Sequence, residues 1–542
     1  MNAVQNAVQN PERPRPQVAV VVIGYDDAAH VTDAVRSALA QGPAVREVVA
    51  VDDCSTDGSA GLLDRLAASE PRLRVVRRRA NSGGCGTPRN TGLAAVTSPY
   101  VMFLDSDDVL PPGAVDALLD AATGTHAEVA SGLCVRRELP SGREVPWQAP
   151  LYALHAVVPH PAQRPRLVHD TLCVNKLYRT GFLREHRIRF PEGRFPYEDV
   201  VFTARVLAAA PRIALVPDRV YVWHVRRSAE RLSISLDRSG VENWRARTEA
   251  CRQAYEILLG AGQKELARVA RAKFLDHDLR MYLRELGLRD AAYRRAWWEI
   301  TRAHLAEYDA DDWARNPAAP GRLAGRVVLA APEPRDLPRL RELAARPARL
   351  YPPYARAADG TPVWSADLPQ VSLEPLLTRP VRVLPLAVDA ELRPRARGAR
   401  LRLRLHELYG RLAQAGPEAV EVEWRHRDDG EAVVRRTTAL VPSAGTWSAE
   451  TTVDLAALAA PGVGTWDLRL RIRFRDGVSR DVTAHALTGA GLLRRSAVPS
   501  ARHGVVLVQP YATHSGALAL RVAPGVRGVL SVVRGRLRRL LH

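Results

Sequence analysis

The sequence predicts an α/β domain built on a doubly wound parallel sheet, followed by a helical segment and an all-β region. Three observations support this prediction. Apolar runs alternate with amphipathic helical patterns over residues 18–238, a helical period alone continues over 239–310, and leucine alternates with arginine beyond residue 382. Strand and helix in regular alternation are typical of a parallel sheet, and strict period-two alternation is typical of a sheet with one buried face.

The first region contains four apolar strand patterns, separated by helical patterns. The strands are Val18–Ile23, Val45–Val51, Leu73–Arg77 and Val101–Asp105. Helical patterns cover Val31–Leu39 and Ser59–Ala68, and a third opens in the glycine-rich loop Asn81–Asn90. Ligands of doubly wound sheets bind beyond the carboxyl ends of the strands, so the residues that follow each strand are the candidates for a site.

Acidic residues cluster after the fourth strand. Asp105, Asp107 and Asp108 lie within four positions, directly after an apolar run. Carboxylates packed this closely repel one another unless a cation is shared among them. Their oxygen ligands suit a hard divalent ion such as Mn²⁺ or Mg²⁺ that also contacts phosphates.

Seven short motifs occur in a fixed order along roughly residues 18–235. They are Val51-Asp-Asp-Cys-Ser-Thr-Asp-Gly-Ser59, Arg89-Asn-Thr-Gly-Leu93, Phe103-Leu-Asp-Ser-Asp-Asp108, Asn175-Lys-Leu-Tyr-Arg179, Phe190-Pro-Glu-Gly193, Tyr197-Glu-Asp-Val200 and Ser233-Ile-Ser235. Together they resemble the motifs of the family 2 glycosyltransferases, which have the GT-A, Rossmann-like fold. Within that family the sequence resembles wall teichoic acid glycosyltransferases, some of which carry C-terminal β-sandwich modules that trimerise.

The resemblance implies a donor site for a nucleoside-diphosphate sugar, here a UDP-sugar. Asp53 matches the position that binds the uracil imide, and Asp52 is the alternative. The other implied donor-binding residues are Ile23 through its backbone, Tyr25 by stacking on the base, Arg89 at a helix start, and Asp105 and Ser106 after the fourth strand.

The resemblance also implies a metal site beside the diphosphate. Asp107 is the expected direct ligand, and Asp105 contacts the metal through water or contacts the ribose. His224 is a third candidate ligand or a phosphate contact, although a lone histidine is more often structural. Asp108 is expected to orient Asp105 and Asp107 or to bind the acceptor; capping a helix is an equal alternative.

A catalytic base is implied in Tyr197-Glu-Asp-Val200. Asp199 is the first candidate and Glu198 the alternative, because adjacent residues point in different directions. The base must lie within hydrogen-bond reach of the attacking hydroxyl, which a sequence cannot show. Ser233–Ser235 resembles a loop that closes over the diphosphate.

Composition narrows the class of partner. The formal charge is +19, carried almost entirely by arginine, with lysine only at Lys176, Lys264 and Lys273. A positive field favours a nucleotide diphosphate, a polyanionic polymer or an acidic membrane surface, and no nucleic-acid recognition motif is present. Five scattered cysteines predict a reducing, cytoplasmic compartment, with peripheral association at the inner face of the membrane as an option. No apolar run reaches transmembrane length.

Six segments are predicted along the 542 residues. They are a disordered tail (1–17), the catalytic domain (18–238), a helical segment (239–310), a connector (311–381) with a strand at Arg326–Ala330, a β-sandwich (382–490), and a short β region with a basic amphipathic tail (491–542). The arginine rows of the sandwich are either a solvated face or a platform for polyanions. The tail either docks on a membrane surface or packs as a helix.

These observations lead to three functional hypotheses. The first is an inverting, metal-dependent glycosyltransferase that modifies a phosphate-containing polymer such as teichoic acid. The second is a family 2 enzyme that builds a capsular polysaccharide, an exopolysaccharide or a lipid-linked glycan. The third is a polyanion-binding protein without activity, which the intact Asp105, Asp107, Asp199 and Arg89 argue against. By resemblance, the C-terminal β region is expected to form a homo-oligomer, most simply a trimer.

Overall fold

The computed structural model describes residues 17–226, 237–315, 320–395, 398–427, 430–487, 495–500, 504–513 and 515–524. These residues form two compact units. The first consists of residues up to 274 together with 299–315, and the second of residues 275–298 together with the chain from residue 316 onward. Within the described ranges, no helix is both long enough and apolar enough to cross a bilayer.

The first unit is organised around a nine-stranded mixed sheet with the order β3-β2-β1-β4-β8-β5-β9-β7, in which β6 pairs with β5. Its strands are β1 Val18–Gly24, β2 Val45–Asp52, β3 Leu73–Arg77, β4 Tyr100–Asp105, β5 Val129–Leu139, β6 Arg143–Pro146, β7 Ala156–Val158, β8 Lys176–Arg179 and β9 Ile213–Arg226. The parallel core β3-β2-β1-β4 consists of the four strands that the sequence predicts.

The helices alternate with these strands, follow one another without strands from α7 to α13, and then occur singly between the strands of the second unit. They are α1 Val31–Leu39, α2 Ser59–Ala67, α3 Gly86–Ala95, α4 Ala114–Thr125, α5 Thr180–Glu185, α6 Glu198–Ala208, α7 Val241–Gly260, α8 Lys264–Lys273, α9 Arg280–Leu286, α10 Ala291–Ala306, α11 Ala310–Ala314, α12 Pro320–Ala330, α13 Leu337–Ala344, α14 Glu374–Leu377, α15 Arg411–Ala415 and α16 Leu455–Ala459. A π-helical turn, Phe274–Leu279, precedes α9.

Burial explains why the apolar runs form the central strands. Every residue of β1 from Val18 to Val22 is essentially inaccessible to solvent, because helices cover both faces of a parallel sheet. Behind the carboxyl end of β4, three aromatic rings lock together. Phe190 stacks on Phe202 with ring centroids 3.8 Å apart, and Phe103 meets Phe190 edge-on at 5.1 Å. This cluster fixes the segment before α6 against β4.

A buried polar network joins β5, β8 and the segment between them. The Asp170 carboxylate is almost inaccessible and accepts hydrogen bonds from Lys176 Nζ at 2.8 Å, Trp147 Nε1 at 2.9 Å and Asn175 Nδ2 at 3.1 Å, and also from the Tyr152 hydroxyl. A buried carboxylate is tolerated when it is paired and fully hydrogen-bonded, and the network supplies both conditions.

Removing Asp170 should therefore destabilise the first unit strongly. Asp170→Ala leaves the Lys176 ammonium buried without its counter-charge, and we expect a loss of about 3–5 kcal/mol in the free energy of unfolding, measured by urea denaturation. Asp311→Ala is the matched control. Like Asp170, Asp311 pairs with a basic residue, Arg268 at 2.9 Å. Asp311 is exposed, however, so its loss should cost about 1 kcal/mol or less in the free energy of unfolding. Equal losses in the two variants would contradict the assignment of Asp170 as a buried anchor.

The second unit contains two β-sheets with alternating buried and exposed residues. One has the order β16-β17-β13-β12-β20, and the other has the order β15-β14-β18-β23-β22-β21 with β19 paired to β18. The strands of this unit are β10 Ala355–Arg356 and β11 Pro362–Val363, which form a separate hairpin, and then β12 Val388–Arg395, β13 Gly398–His406, β14 Pro417–His426, β15 Ala432–Ala439, β16 Val441–Ser443, β17 Thr446–Val453, β18 Gly464–Phe474, β19 Ser479–Val482, β20 Ala484–Ala486, β21 Ser496–Ser500, β22 Gly504–Ala512 and β23 Leu518–Pro524.

The structure corrects two details of the predicted organisation. The strand expected at Arg326–Ala330 is wrong, because these residues lie in α12, where the buried Leu323, Val327 and Val328 follow a helical period. The described part of the region 311–381 accordingly contains α12, α13, α14 and most of α11, together with the β10–β11 hairpin. Beyond residue 490, β23 pairs with β18, so the short strands near the C-terminus complete the second sheet of the predicted sandwich.

The arginine rows of the sandwich are largely paired with acids on neighbouring strands. Glu450 on β17 binds Arg400 at 2.7 Å and Arg402 at 2.8 Å, and Asp481 on β19 binds Arg471 at 2.7 Å. This pairing favours a solvated face over a bare cationic platform. The N-terminal tail, the Ser233–Ser235 loop and the amphipathic C-terminal tail lie outside the described residues.

Candidate active site

The register of the central strands brings the predicted acids to one edge of the sheet. Ile23 on β1 is level with Asp105 on β4, and Gly24 on β1 is level with Asp52 on β2. Backbone bonds extend this alignment one residue further. Asp53 N–H donates to the Gly24 carbonyl at 3.0 Å, and Ser106 N–H donates to the Ile23 carbonyl at 2.9 Å. The candidate site is therefore the carboxyl edge of β2, β1 and β4.

Asp53 is buried and held from two sides. Its Oδ1 lies 2.5 Å from Arg78 Nε, and its Oδ2 accepts from the Ser82 amide at 3.0 Å and the Ser82 hydroxyl at 2.7 Å. Asp52 Oδ2 accepts a bond from the Ser55 amide at 3.2 Å, within the turn after β2. Tyr25 lies at the end of β1 and is 38% exposed, so its ring is accessible for stacking. The choice between Asp53 and Asp52 as the uracil ligand stays a prediction.

The loop after β1 contributes two acids that the sequence reasoning missed. Asp27 accepts a hydrogen bond from the Ser106 hydroxyl at 2.7 Å and pairs with His30 Nδ1 at 2.5 Å. Asp26 accepts from the Thr56 amide at 2.6 Å and so ties this loop to the turn after β2. The signal that identified Asp105 and Asp107, acids directly after a buried strand, would also have found this pair. Ser106 is buried and faces Asp27 rather than open space.

Asp107 is the most accessible carboxylate of the cluster. Its side chain keeps 41% of its surface exposed, and Arg226 Nη1 lies 3.3 Å from its Oδ2. Partial burial and the nearby charges of Asp105 and Asp27 raise the pKa of Asp107 to about 6, against the opposing effect of Arg226. An acid crowded by other acids binds a cation favourably, because the cation relieves the repulsion.

His224 lies on β9, and its imidazole is oriented by the residues that follow β4. Its Nδ1 lies 3.0 Å from the Asp107 backbone oxygen. Since a carbonyl can only accept, Nδ1 carries the hydrogen and Nε2 keeps its lone pair. Burial lowers the pKa of His224, which favours this neutral form. His224 therefore has the tautomer that a metal ligand needs.

Asp108 is buried, with its side chain turned into the protein. One oxygen accepts from the Tyr221 hydroxyl at 2.7 Å and the other from the His224 amide at 2.7 Å. Both oxygens thus hold β9 against the end of β4. The helix-capping alternative is wrong, because α4 begins only at Ala114 with Gly113 at its N-cap. The buried position of Asp108 gives no support to the predicted contact with an acceptor, and instead makes the residue a support for His224.

Arg89 occupies a position that the sequence reasoning did not foresee. It was expected to present a cation to the diphosphate, but only 4% of its side-chain surface is exposed. Its Nη2 lies 2.6 Å from Asp105 Oδ1, and its Nη1 lies 2.5 Å from Glu198 Oε1. The guanidinium therefore bridges the acid at the end of β4 and the first residue of α6.

The two candidate bases differ in their environments. Glu198 is buried and paired with Arg89, whereas Asp199 is half-buried with one oxygen accepting from the Val200 amide at 2.8 Å. Burial raises the pKa of both, that of Glu198 to about 7, and Arg89 opposes the rise in each case. Asp199 is the better placed of the two to meet an acceptor hydroxyl, because Glu198 is engaged inside the protein.

The donor set fits a divalent cation chemically. Asp105 and Asp107 supply carboxylate oxygens, and His224 supplies a neutral imidazole nitrogen. Across the described ranges, no three such side chains are already gathered in a metal-binding group. A site that is completed by the donor's phosphate oxygens would need fewer protein ligands.

Comparison with known proteins agrees with this geometry. The family model "Glycosyl transferase family 2" matches residues 19–187, which include β1–β4 and most of the acids described above. The chain contains a family 2 glycosyltransferase domain. The resemblance inferred from the motifs is thereby confirmed for this part of the chain.

Two curated relatives match the same region. The chain is 31% identical over 217 residues to the poly(ribitol-phosphate) beta-N-acetylglucosaminyltransferase TarS of Staphylococcus aureus, covering 40% of this chain and 36% of that protein. It is 30% identical over 231 residues to the succinoglycan biosynthesis protein ExoO of Rhizobium meliloti, covering 41% of this chain and 64% of that protein. The chain thus matches little more than a third of TarS and less than two thirds of ExoO.

A solved structure extends the likeness in fold. The crystal structure of S. aureus TarS superposes with a TM-score of 0.53 at 19% identity, covering 94% of this chain and 85% of that chain. At this identity the match concerns the fold alone. It confirms the predicted order of a GT-A domain, a helical segment and a strand-rich C-terminal region.

Proposed function

We propose that this chain is an inverting, metal-dependent glycosyltransferase that moves a sugar from a UDP-sugar to a hydroxyl of a cell-envelope polymer, such as a poly(polyol phosphate). The observation that carries the proposal is the convergence of acids with different tasks at one sheet edge. Asp53 follows β2 and Asp107 follows β4, on either side of β1, and Asp199 is the second residue of the helix that is tied to this edge through Glu198 and Arg89.

Each group has a chemical role in such a transfer. Asp53, Tyr25 and the backbone at Ile23 and Gly24 would hold the uridine, with Asp52 as the alternative ligand. Asp107, Asp105 and His224 would hold a Mn²⁺ or Mg²⁺ ion, which when bound neutralises the departing diphosphate. Asp199 would accept the proton of the attacking hydroxyl as that oxygen bonds to the anomeric carbon. Attack from the side opposite the diphosphate gives inversion.

The acceptor is proposed from the relatives and from the charge of the chain. TarS is named for transfer to poly(ribitol phosphate), and the formal charge of +19 suits a phosphate-rich polymer. The match to ExoO, which spans a larger share of that protein, favours one alternative: an exopolysaccharide acceptor. Either acceptor is consistent with a cytoplasmic enzyme, working at or near the inner face of the membrane.

A donor and acceptor screen tests the proposal. We expect release of UDP from one of a panel of UDP-sugars, dependent on Mn²⁺ or Mg²⁺ and stimulated by poly(ribitol phosphate) or poly(glycerol phosphate). Stimulation by a neutral or carboxylated polysaccharide instead would favour the alternative acceptor. Absence of turnover with every UDP-sugar, in either metal and with every acceptor, would contradict the proposed function.

Asp107→Ala should abolish transfer in that assay. Loss of the most accessible carboxylate removes the expected direct metal ligand, so metal-dependent affinity for UDP should fall along with the rate. Calorimetric titration of UDP, with and without Mn²⁺, measures this directly. Asp33→Ala removes an exposed acid on α1 and serves as the control, with no change expected. Full activity of the Asp107 variant in either metal would rule out its metal role.

Asp199→Asn should separate chemistry from binding. The amide keeps the shape of the side chain but accepts no proton, so kcat should fall by about 10²–10⁴ while affinity for UDP is retained. The base must be ionised, so kcat/KM of the unaltered enzyme should fall at low pH; this fall is the acid limb of the pH profile. Because the pKa of Asp199 is raised, the acid limb should lie above the ordinary pKa range of aspartate. Loss of UDP affinity in step with the rate would show that Asp199 is not the base.

We further propose that the C-terminal β unit assembles the chain into a trimer, which places several active sites against one polymer. Such an arrangement raises retention without new contacts at each site. Light scattering should then give three times the chain mass of 59.5 kDa. Long acceptors should also be modified more efficiently per site than short ones. A scattering mass of 59.5 kDa at assay concentrations would contradict the proposal.

A further inference from the structure

The buried guanidinium of Arg89 connects the two halves of the candidate site. It pairs with Asp105 at 2.6 Å on one side and with Glu198 at 2.5 Å on the other, and its Cζ lies 5.4 Å from the Phe190 ring centroid. Arginine suits such a position, because its planar fork presents separate N–H groups to two acids at once. Both bonds are charge-assisted and shielded from water, so they strongly constrain the geometry.

The glycine-rich loop serves the same connection. A Cβ on Gly86 would lie 1.9 Å from the Pro191 carbonyl oxygen, and one on Gly84 would lie 2.5 Å from the Gly193 carbonyl oxygen. These glycines let the start of α3 pack directly on the segment that leads into α6. Asn90 reinforces the contact, since its side chain bonds both the amide and the carbonyl of Phe190 at 2.9 Å.

The geometry points to Arg89 as a positioning residue: it does not bind the donor diphosphate, but fixes the start of α6, and with it Asp199, relative to the acids at the end of β4. This inference rests on the proposed role of Asp199. It explains why a cation in a glycine loop is buried, and it gives Glu198 a structural task in place of the catalytic one. Displacement of a base by about 1 Å can cost roughly a hundredfold in rate.

The charges around Asp199 supply a test that a purely structural role would not pass. Glu198, Arg89 on α3, Arg247 on α7, Lys273 on α8 and the Cys173 thiol interact electrostatically with this carboxylate. Arg89 lowers the pKa of Asp199, whereas burial and the Asp199 charge raise the pKa of Glu198 to about 7, so Glu198 is protonated over the acid limb of kcat/KM. Removing the cation should therefore move the acid limb to higher pH, whereas replacing Glu198 by a neutral amide should leave it in place.

The experiment compares Arg89→Met, Glu198→Gln and the double variant in the metal-supported transfer assay. Arg89→Met should lower kcat by roughly a hundredfold, move the acid limb to higher pH and leave affinity for UDP little changed. Glu198→Gln should lower kcat, because the amide weakens the bond to Arg89, but should leave the acid limb in place, and the double variant should resemble Arg89→Met. Arg89→Lys, which keeps the charge but cannot bridge both acids, should restore the limb more fully than kcat.

Arg72→Met is the matched control, since Arg72 also pairs with a carboxylate, Glu70 at 3.0 Å, but precedes β3 at the opposite edge of the sheet. The acid limb of kcat/KM should not move in the Arg72→Met variant. An unmoved acid limb in Arg89→Met, or an equal shift in Glu198→Gln, would overturn the inference while leaving the proposed function intact. If Arg89→Met does not fold, Arg89→Lys decides alone: a lowered kcat with UDP affinity retained supports the inference, and an unchanged kcat overturns it. Affinity for UDP can be measured even in a variant without turnover. A loss of UDP affinity in Arg89→Met as large as the loss in Asp107→Ala would also overturn the inference.

Discussion

Repulsion among carboxylates at the carboxyl edge of the sheet is the constraint on which the site depends. Parallel strands end together, so Asp53, Asp105 and Asp107 are brought close whether or not their charges favour it. The protein compensates internally for the buried acids, with Arg78 on Asp53 and Arg89 on Asp105. Among the described residues, Asp107 pairs with Arg226 at the longer distance of 3.3 Å and stays accessible, which fits the proposed role of this carboxylate as the direct metal ligand.

The same compensation determines how rigid the site is. The oxygens of Asp108 accept hydrogen bonds inside the fold, and Glu198 forms an ion pair there. These contacts tie β9 and α6 to β4. Partly buried, fully satisfied polar groups specify one geometry more sharply than apolar contacts do, because any displacement leaves a charge unpaired. The acids that look equivalent in the sequence are thus divided into supports, such as Asp108, and accessible groups, such as Asp107 and Asp199.

That division marks the limit of what the sequence could predict. The strands and helices of the first unit follow from apolar periodicity, and the edge on which the acids gather follows from the parallel sheet. Which acid stays accessible does not follow from the sequence, because adjacent residues differ only in the direction of their side chains. Arg89 was misplaced for a related reason: a cation beside glycines is typical of an anion site, yet Gly84 and Gly86 are needed for the close approach of Gly193 and Pro191. The helix at Arg326–Ala330 was missed because a short apolar run has no clear period.

The pairing of arginines in the second unit bears on how a long acceptor would be retained. A charge of +19 suggests an attractive field, but on the sandwich sheets Arg400, Arg402 and Arg471 are bound to carboxylates on adjacent strands. Exposed pairs of this kind have little net field beyond a Debye length of about 8 Å at physiological salt. The described arginine rows therefore contribute little to binding a polyanion by charge alone. In the proposed trimer, the number of sites that a polymer meets at once would supply its retention without a cationic groove.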